Sequence, residues 1–403
     1  MTLKGLLTAL AVVCLGAGGA AAQGNEGPVK IGVLNDRSSL YADLSGQGSV
    51  EAAKLAVEDA GGKVLGKPVE IVFADHQNKP DVGSSIARQW FDTEGVDIIT
   101  DVPNSAVALA VQELARQKGK ITLFSGPATA DLTGPKCSPT GVHWTYDTYG
   151  LAHGTGNAVV KSGGVTWFFI TADYAFGHAL ERDTSEVVKG AGGKVLGSVK
   201  VPLNTQDFSS FLLQAQSSGA KVIGLANAGG DTVTSIKQAS EFGIVQGGQK
   251  LAGLLVFVDD VHSLGLKTAQ GLQLTESFYW DQNDQTRAWS KRFFERTKKM
   301  PSMVQAGVYG AVLHYLKAVE AAGSKDPQKV MAKMRETPIN DFMTKDGKLR
   351  EDGKVVRDMY LFEVKKPEES KGEWDLYRQI RDIPAAEVTR PLDQGGCPLV
   401  KKS

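Results

Sequence analysis

The sequence predicts an α/β protein of two similar lobes, on three observations. The heptapeptide Ala-Gly-Gly-Lys-Val-Leu-Gly occurs twice, at Ala60–Gly66 and at Ala191–Gly197. Each copy follows a helix-like stretch, Gly46–Asp59 and Gly177–Gly190. Each helix in turn follows an apolar strand candidate, Val29–Leu34 and Val165–Ile170. One strand–loop–helix–loop–strand plan used twice, at a spacing too long for a solenoid, makes two α/β lobes. Facing lobes leave a cleft, and clefts between domains are where small ligands bind. A Gly-Gly turn before a Lys-Val strand is also ordinary helix-to-strand chemistry. The repeated flanking elements favour duplication over coincidence.

The chain has 403 residues, enough for two or three domains. It opens with a targeting segment over residues 1–22. Lys4 supplies a positive start, Gly5–Leu15 is apolar, and Ala20-Ala21-Ala22 is a small-residue cleavage site before Gln23. The apolar run is shorter than the about 20 residues a bilayer span needs. Cys14 does not read as a lipid-anchor cysteine, because Ala11-Val12-Val13 lacks the small residue expected just before it. Polar residues interrupt every later apolar run, so the expected destination is the bacterial periplasm. Removing the leader leaves Cys137 and Cys397. Two cysteines in an oxidising compartment more often pair than stay free, so a disulfide tying down the tail, residues 386–403, is expected.

Strand candidates follow in order at Val29–Leu34, Val69–Ala74, Val96–Thr100, Lys120–Phe124, Val165–Ile170, Lys221–Ala226, Leu251–Val258 and Leu272–Tyr279. They are rich in Val, Ile, Leu and Phe with little alternation, as in parallel strands covered on both faces. Helical stripes lie between them, such as Val50, Ala53, Val57 and Ala60, then Val107, Ala110, Val111 and Leu114. This alternation makes βαβ units and a mostly parallel sheet. The last third departs from it. Ala288–Lys299, Val304–Ala322 and Gln328–Glu336 read as consecutive helices, Val355–Val364 as a strand, and residues 365–375 as a charged, solvated turn.

The chemistry on offer is that of binding. Lys+Arg and Asp+Glu balance at 45 each, which leaves no basic footprint for nucleic acid. There is no Gly-x-Ser-x-Gly elbow, no Walker loop and no helical pair of zinc histidines. The six histidines, His76, His143, His153, His178, His262 and His314, have no metal-ligand spacing. Neither an enzyme nor a bound metal or cofactor is expected. Four polar loops instead follow parallel strands and lead into helices: Asn35–Gly48, Asp101–Ser105, Ser125–Thr129 and Thr171–Gly177. Such loops converge at the carboxyl edge of the sheet, where open α/β folds bind ligands. Asn104 or Ser105 is a natural N-cap. The same helix start, with the Ser105 hydroxyl, can also hold a carboxylate.

These loops, in this order behind a secretion signal, resemble the periplasmic leucine/isoleucine/valine-binding protein family, the type I solute-binding proteins of ABC importers. The segments that carry the resemblance are Tyr41-Ala42-Asp43-Leu44-Ser45-Gly46, Pro103-Asn104-Ser105, Phe124–Thr129 and Asp173-Tyr174-Ala175-Phe176-Gly177, and it runs from about Val29 to about Val364. The resemblance implies a periplasmic binding protein type I fold, with two Rossmann-like lobes joined by three crossover segments. The N-lobe would take residues 27–145 and 278–350, the C-lobe 146–277 and 351–385, with the tail 386–403 tied to the N-lobe. Crossovers would fall near Trp144–Thr148, Ser277–Trp280 and Lys348–Gly353. The ligand carboxylate would sit on Asn104, Ser105 and the loop Gly126, Pro127, Ala128 and Thr129, with Tyr174 or Phe176 over the ligand. Further C-lobe contacts would fall at Asn227, Gly229 and Asp231, and at Phe257 and Asp259.

The sequence departs from the family at those last loops, where amino-acid binders place an aromatic residue and then a glutamate for the ammonium. Asp259 is shorter by one methylene, and Asp231 is the fallback. Tyr41, Trp144, Tyr149, Tyr279 and Trp280 crowd the expected cleft and hinges, which suits an aromatic or other apolar acid. The resulting expectation is a monomeric receptor that closes on a small carboxylate and delivers it to an ABC permease. A branched-chain or other apolar amino acid is set first and a simple carboxylic acid second. A sensor feeding a signalling partner and a secreted enzyme are the rivals from other classes.

Overall fold

The computed structural model describes residues 27–401. The leader read at residues 1–22, with Cys14, lies outside them. Six strands form the first sheet: β1 (Val29–Asn35), β2 (Lys63–Val64), β3 (Lys67–Asp75), β4 (Ile98–Asp101), β5 (Ile121–Phe124) and β6 (Gly141–His143). Their order is β2-β3-β1-β4-β5-β6, parallel except for the short β2. Four more form the second: β7 (Thr166–Ala172), β8 (Lys194–Val201), β9 (Val222–Ala226) and β10 (Lys250–Gly253), all parallel in the order β10-β9-β7-β8. Within the first sheet β3-β1-β4-β5 has the same winding as β8-β7-β9-β10, so the duplication is one of topology.

The repeated heptapeptide itself diverges. In the first copy Leu65 and Gly66 take φ of 51° and 75° and turn the chain between β2 and β3. Two successive positive φ values make the tight hairpin turn that glycine favours at its second position. In the second copy the same Val-Leu-Gly stays within β8, with an irregularity at Leu196 between the pairs Val195–Trp167 and Gly197–Phe168.

Helices cover both faces of the first sheet. Gly46–Asp59 packs with Met303–Ala322 on one, and Pro80–Asp92 packs with Ser105–Gln117 on the other. The helix Met303–Ala322 is buried on nearly every side, because it lies between Gly46–Asp59 and strands β4 and β5. Its ends are set locally. Ser302 accepts from the Gln305 amide, and Gly323 leaves the helix at φ 60°. Helices Asp284–Thr297 and Pro327–Glu336 join this side, which explains the break in alternation.

The chain then returns to the second lobe. After the hairpin β12 (Lys348–Leu349) and β13 (Val355–Val356), β14 (Met359–Val364) pairs antiparallel with β11 (Gln273–Glu276) and with β15 (Tyr377–Ile383). Four expectations change, one being the strand expected over Leu272–Tyr279, which spans only Gln273–Glu276. The strand expected over Leu251–Val258 ends at Gly253, and Val258 already begins a helix. The strand expected over Val355–Val364 is two strands. The helix expected from Ala288 begins at Asp284, capped by Asn283.

Candidate functional site

The loops at the carboxyl ends of both parallel sheets meet across a cleft. Tyr41 and Leu44 follow β1, Pro103 follows β4, Gly126 and Ala128 follow β5, and Tyr146 follows β6. From the second sheet come Tyr174 and Phe176 after β7, Ala228 after β9, and Leu255 and Phe257 after β10. Together they line a small cavity of about 10 Å³, room for about one water molecule. The lobes touch directly around it. The hydroxyls of Tyr41 and Tyr174 stand 2.5 Å apart, and the Gly230 amide donates to the Leu40 carbonyl at 3.1 Å. This is a closed cleft.

The lining carries no charged side chain. Its polar atoms are mostly tyrosine hydroxyls. Tyr146 spends its proton on the Gly126 carbonyl at 2.6 Å. The Tyr41–Tyr174 pair uses one proton between its two oxygens and keeps the other for a third group. Burial holds all three phenols well above their ordinary pKa, so they remain donors.

The floor is held under strain. Asp101 and Val102 adopt φ of 78° and 53°, unusual for residues with side chains. A buried network fixes them. The Asp101 carboxylate accepts from Asn35 Nδ2 at 3.0 Å and Ser45 Oγ at 2.7 Å, and the Val102 amide donates to Leu34 at 3.0 Å. Burial pushes Asp101 up to about 6. Pro103 is thereby pressed towards Gly126, where an added Cβ would lie 2.6 Å from the Pro103 Cα.

Of the residues singled out in the sequence, Tyr41, Gly126, Ala128, Tyr174, Phe176 and Phe257 come together on the cavity wall. Four others stand just behind it. The Asn104 side chain accepts from the amides of Ala106 and Val107, as an N-cap does. Ser105 Oγ accepts from the amides of Ala128 at 3.3 Å and Thr129 at 3.2 Å. The Pro127 carbonyl accepts from His143 Nε2 at 2.7 Å. Thr129 Oγ1 accepts from the Asp131 amide. Burial, with Lys354 nearby, holds His143 down to about 4, so it stays neutral.

The remaining candidates have other neighbours. Asn227 bonds Thr232 and Ser235 within its own helix start. Asp231 accepts from the Asn204 amide at 3.2 Å, and burial raises it to about 6. Asp259 lies in the first turn of Val258–Leu264 with one buried oxygen unpartnered. Burial, then the neighbouring Asp260 and Asp43, raise its carboxyl well above the usual range. Tyr149 stacks on His153, with Arg390 over its ring. Trp280 donates to the Trp374 carbonyl at 2.8 Å.

Leu44, Pro103, Tyr146, Ala228 and Leu255 line the cavity without having been singled out as ligand contacts. For all but Leu44, the common signal is position just past the end of a parallel strand. A disulfide joins Cys137 to Cys397. Among the described residues no group of three or more His, Cys, Asp or Glu side chains is placed to hold a metal, and no helix is long and apolar enough to cross a membrane.

Comparison with known proteins agrees with this architecture. A periplasmic binding protein of Burkholderia mallei is 54% identical, with a TM-score of 0.91 over 93% of this chain and 99% of that one. A branched chain amino acid ABC transporter periplasmic ligand-binding protein of Burkholderia xenovorans LB400 is 44% identical, with a TM-score of 0.82 over 92% and 99%. An ABC transporter solute binding protein of R. palustris, in complex with benzoate, shares the fold at 22% identity, with a TM-score of 0.82 over 93% and 100%. Residues 28–373 match the profile of the periplasmic binding proteins, and the chain belongs to that family.

Proposed function

We propose that the protein is the periplasmic solute receptor of an ABC importer, and that its ligand is a small carboxylic acid with an apolar body and no ammonium group. The uncharged cavity wall supports this reading. An ammonium sealed there would lose its water with no carboxylate on the wall to pair with directly, Asp231 acting only through the Tyr41 and Tyr174 phenols, a cost of several kcal/mol. A carboxylate has a partner at the N-side loops in the Ser105 hydroxyl, which accepts from the Ala128 and Thr129 amides and keeps its own proton to donate. The spare phenol proton of the Tyr41–Tyr174 pair suits either the carboxylate or a ring hydroxyl. Benzoate, the ligand of the R. palustris neighbour, has this chemistry. The lobes that close on it are proposed as residues 27–145 with 278–350, and 146–277 with 351–385.

A branched-chain amino acid is the second reading. The unpartnered Asp259 oxygen favours it, as does the name of the B. xenovorans relative. Thermal-shift screening separates the two. A ligand at 100 times its Kd adds about 2.7 kcal/mol of stability. Benzoate and short aliphatic acids should raise the melting point while leucine, isoleucine and valine do not. The reverse pattern would overturn the proposal.

A further inference from the structure

Behind the loop Gly126–Ala130, away from the cavity, a line of buried polar contacts leads into the C-terminal tail. The Thr148 amide donates to the Ala128 carbonyl at 2.8 Å, and the Thr148 hydroxyl accepts from the Ala130 amide at 3.1 Å. That hydroxyl gives its proton to Asp183 at 2.6 Å. Asp183 is buried on the helix Ala175–Gly190, in the other lobe. Its second oxygen takes Arg182 at 3.1 Å and Arg390 at 3.0 Å.

Arg390 belongs to the tail, beyond residue 373, where the family match ends. It is fixed from three sides. Its guanidinium lies 4.9 Å over the Tyr149 ring. Its carbonyl accepts from Arg350 at 2.9 Å. The disulfide from Cys397 to Cys137 holds the segment that follows it.

The order of protons gives this line a direction. A hydroxyl has one proton. Given to the Asp183 carboxylate, it leaves the Thr148 oxygen free to accept the Ala130 amide. A buried carboxylate is costly without cations against it. Arg182 is shared with Asp131 at 3.2 Å, so Arg390 is the cation that Asp183 does not share with another carboxylate in this cluster.

We propose that the tail is part of the binding machinery: Arg390, anchored by the disulfide, is a positioning residue that sets the ligand loop through Asp183 and Thr148. The functional half of this rests on the ligand occupying the cleft as proposed above. The structural half does not.

Amide hydrogen exchange on the ligand-free protein tests it directly. Arg390→Met keeps the stem over Tyr149 and removes the charge. Exchange should quicken at the Ala130 and Thr148 amides and stay unchanged in the central strands β1 and β4. Affinity for benzoate, the probe, should fall about two- to thirtyfold, the span of a coupling carried through neighbours. A general loss of stability would instead quicken exchange throughout. Unchanged exchange at both amides overturns the proposal, and so does altered exchange with unchanged benzoate affinity. If wild type binds neither benzoate nor leucine, the ligand reading fails on its own, and the exchange comparison still decides the positioning role. Cys397→Ser frees the tail without altering the charges, and serves by the same readouts should Arg390→Met fail to fold.

Discussion

Ser105 shows how a single oxygen can serve both fold and site. It accepts from the Ala128 and Thr129 amides, so it joins two loops that approach a ligand from different strands. Ser105→Ala leaves those buried donors unpaired, at about 1–3 kcal/mol each. Ligand affinity measured by calorimetry should fall roughly tenfold or more, while the ligand-free protein stays folded; unchanged affinity would remove Ser105 from the site. The carboxyls around the cleft make a second prediction. Burial raises Asp260 to about 7 and Asp101 and Asp231 to about 6, and raises Asp259 and Glu276 as well. A raised carboxyl binds its proton more tightly folded than unfolded. Its contribution is complete below about 4 and is lost as pH climbs through the folded value. His76 and His143, held at about 4, act oppositely, and their cost falls between about 6.5 and 4. Between pH 7.5 and 5.5 the carboxyls dominate, so the melting point should rise on acidification. Asp260→Asn should flatten that rise near pH 7, because an amide can still accept from the Phe257 amide that Asp260 holds at 2.9 Å. A wild-type melting point that falls over the interval would contradict the sign.

At the scale of elements, closure depends on how helix Gly230–Glu241 begins. Gly229 has φ 58° and ψ −135°, a region glycine alone enters readily. A Cβ there would lie 2.4 Å from the Leu40 carbonyl across the cleft. Gly229→Ala should therefore wedge the lobes apart and weaken ligand binding; scattering that shows wild-type compaction in the variant would refute this. Such contacts are invisible in a sequence, whereas the parallel strands are plain in it. Strands such as β4, β5 and β9 are buried along their whole length, so their apolar runs stand out. β8 and β15 escape notice because one alternates exposed and covered residues at a sheet edge and the other is mostly exposed. The misplaced end of β10 has the opposite cause. Leu254–Phe257 is apolar because Leu255 and Phe257 line the cavity, so the wall of a binding site imitates a buried strand. The loop order and the aromatic residues at Tyr41, Tyr174 and Phe176 are legible from sequence. The absence of charge from the wall is not, since Asp231 and Asp259 adjoin it in sequence and only packing keeps them off it, Asp231 remaining near enough to add to burial in raising the Tyr41 and Tyr174 phenols.

For the whole molecule, the disulfide and the cleft act on different equilibria. The Cys137–Cys397 bond spans 260 residues, and the entropy of so long a loop is worth about 5 kcal/mol against the unfolded chain. Reduction should lower the melting point without abolishing the fold, and a melting point unmoved by reductant would show that the unfolded chain gains little freedom. Closure is a balance within the folded state. Direct contact between the loop tips includes the Tyr41–Tyr174 hydroxyl pair and the Gly230–Leu40 bond, and one apolar cluster runs across both lobes through Tyr41, Leu44, Phe176 and Phe257. A net hydrogen bond is worth about 0.5–1.5 kcal/mol, so the two hydrogen bonds by themselves do not lock the lobes together, and the apolar contact adds to them. A ligand that bonds the N-side loops and lies against Tyr174, Phe176 and Phe257 gains its full contacts only when both lobes enclose it. It must therefore shift the population by its preference for the closed form. Small-angle scattering should show a smaller radius of gyration at saturating ligand than without it. Tyr41→Phe, which removes the pair's bond and spares the ring, should enlarge the free protein's radius more than the bound one. Superimposable curves with and without a ligand that calorimetry shows to be bound would mean that the lobes stay closed throughout, and that the ligand enters by loop motion.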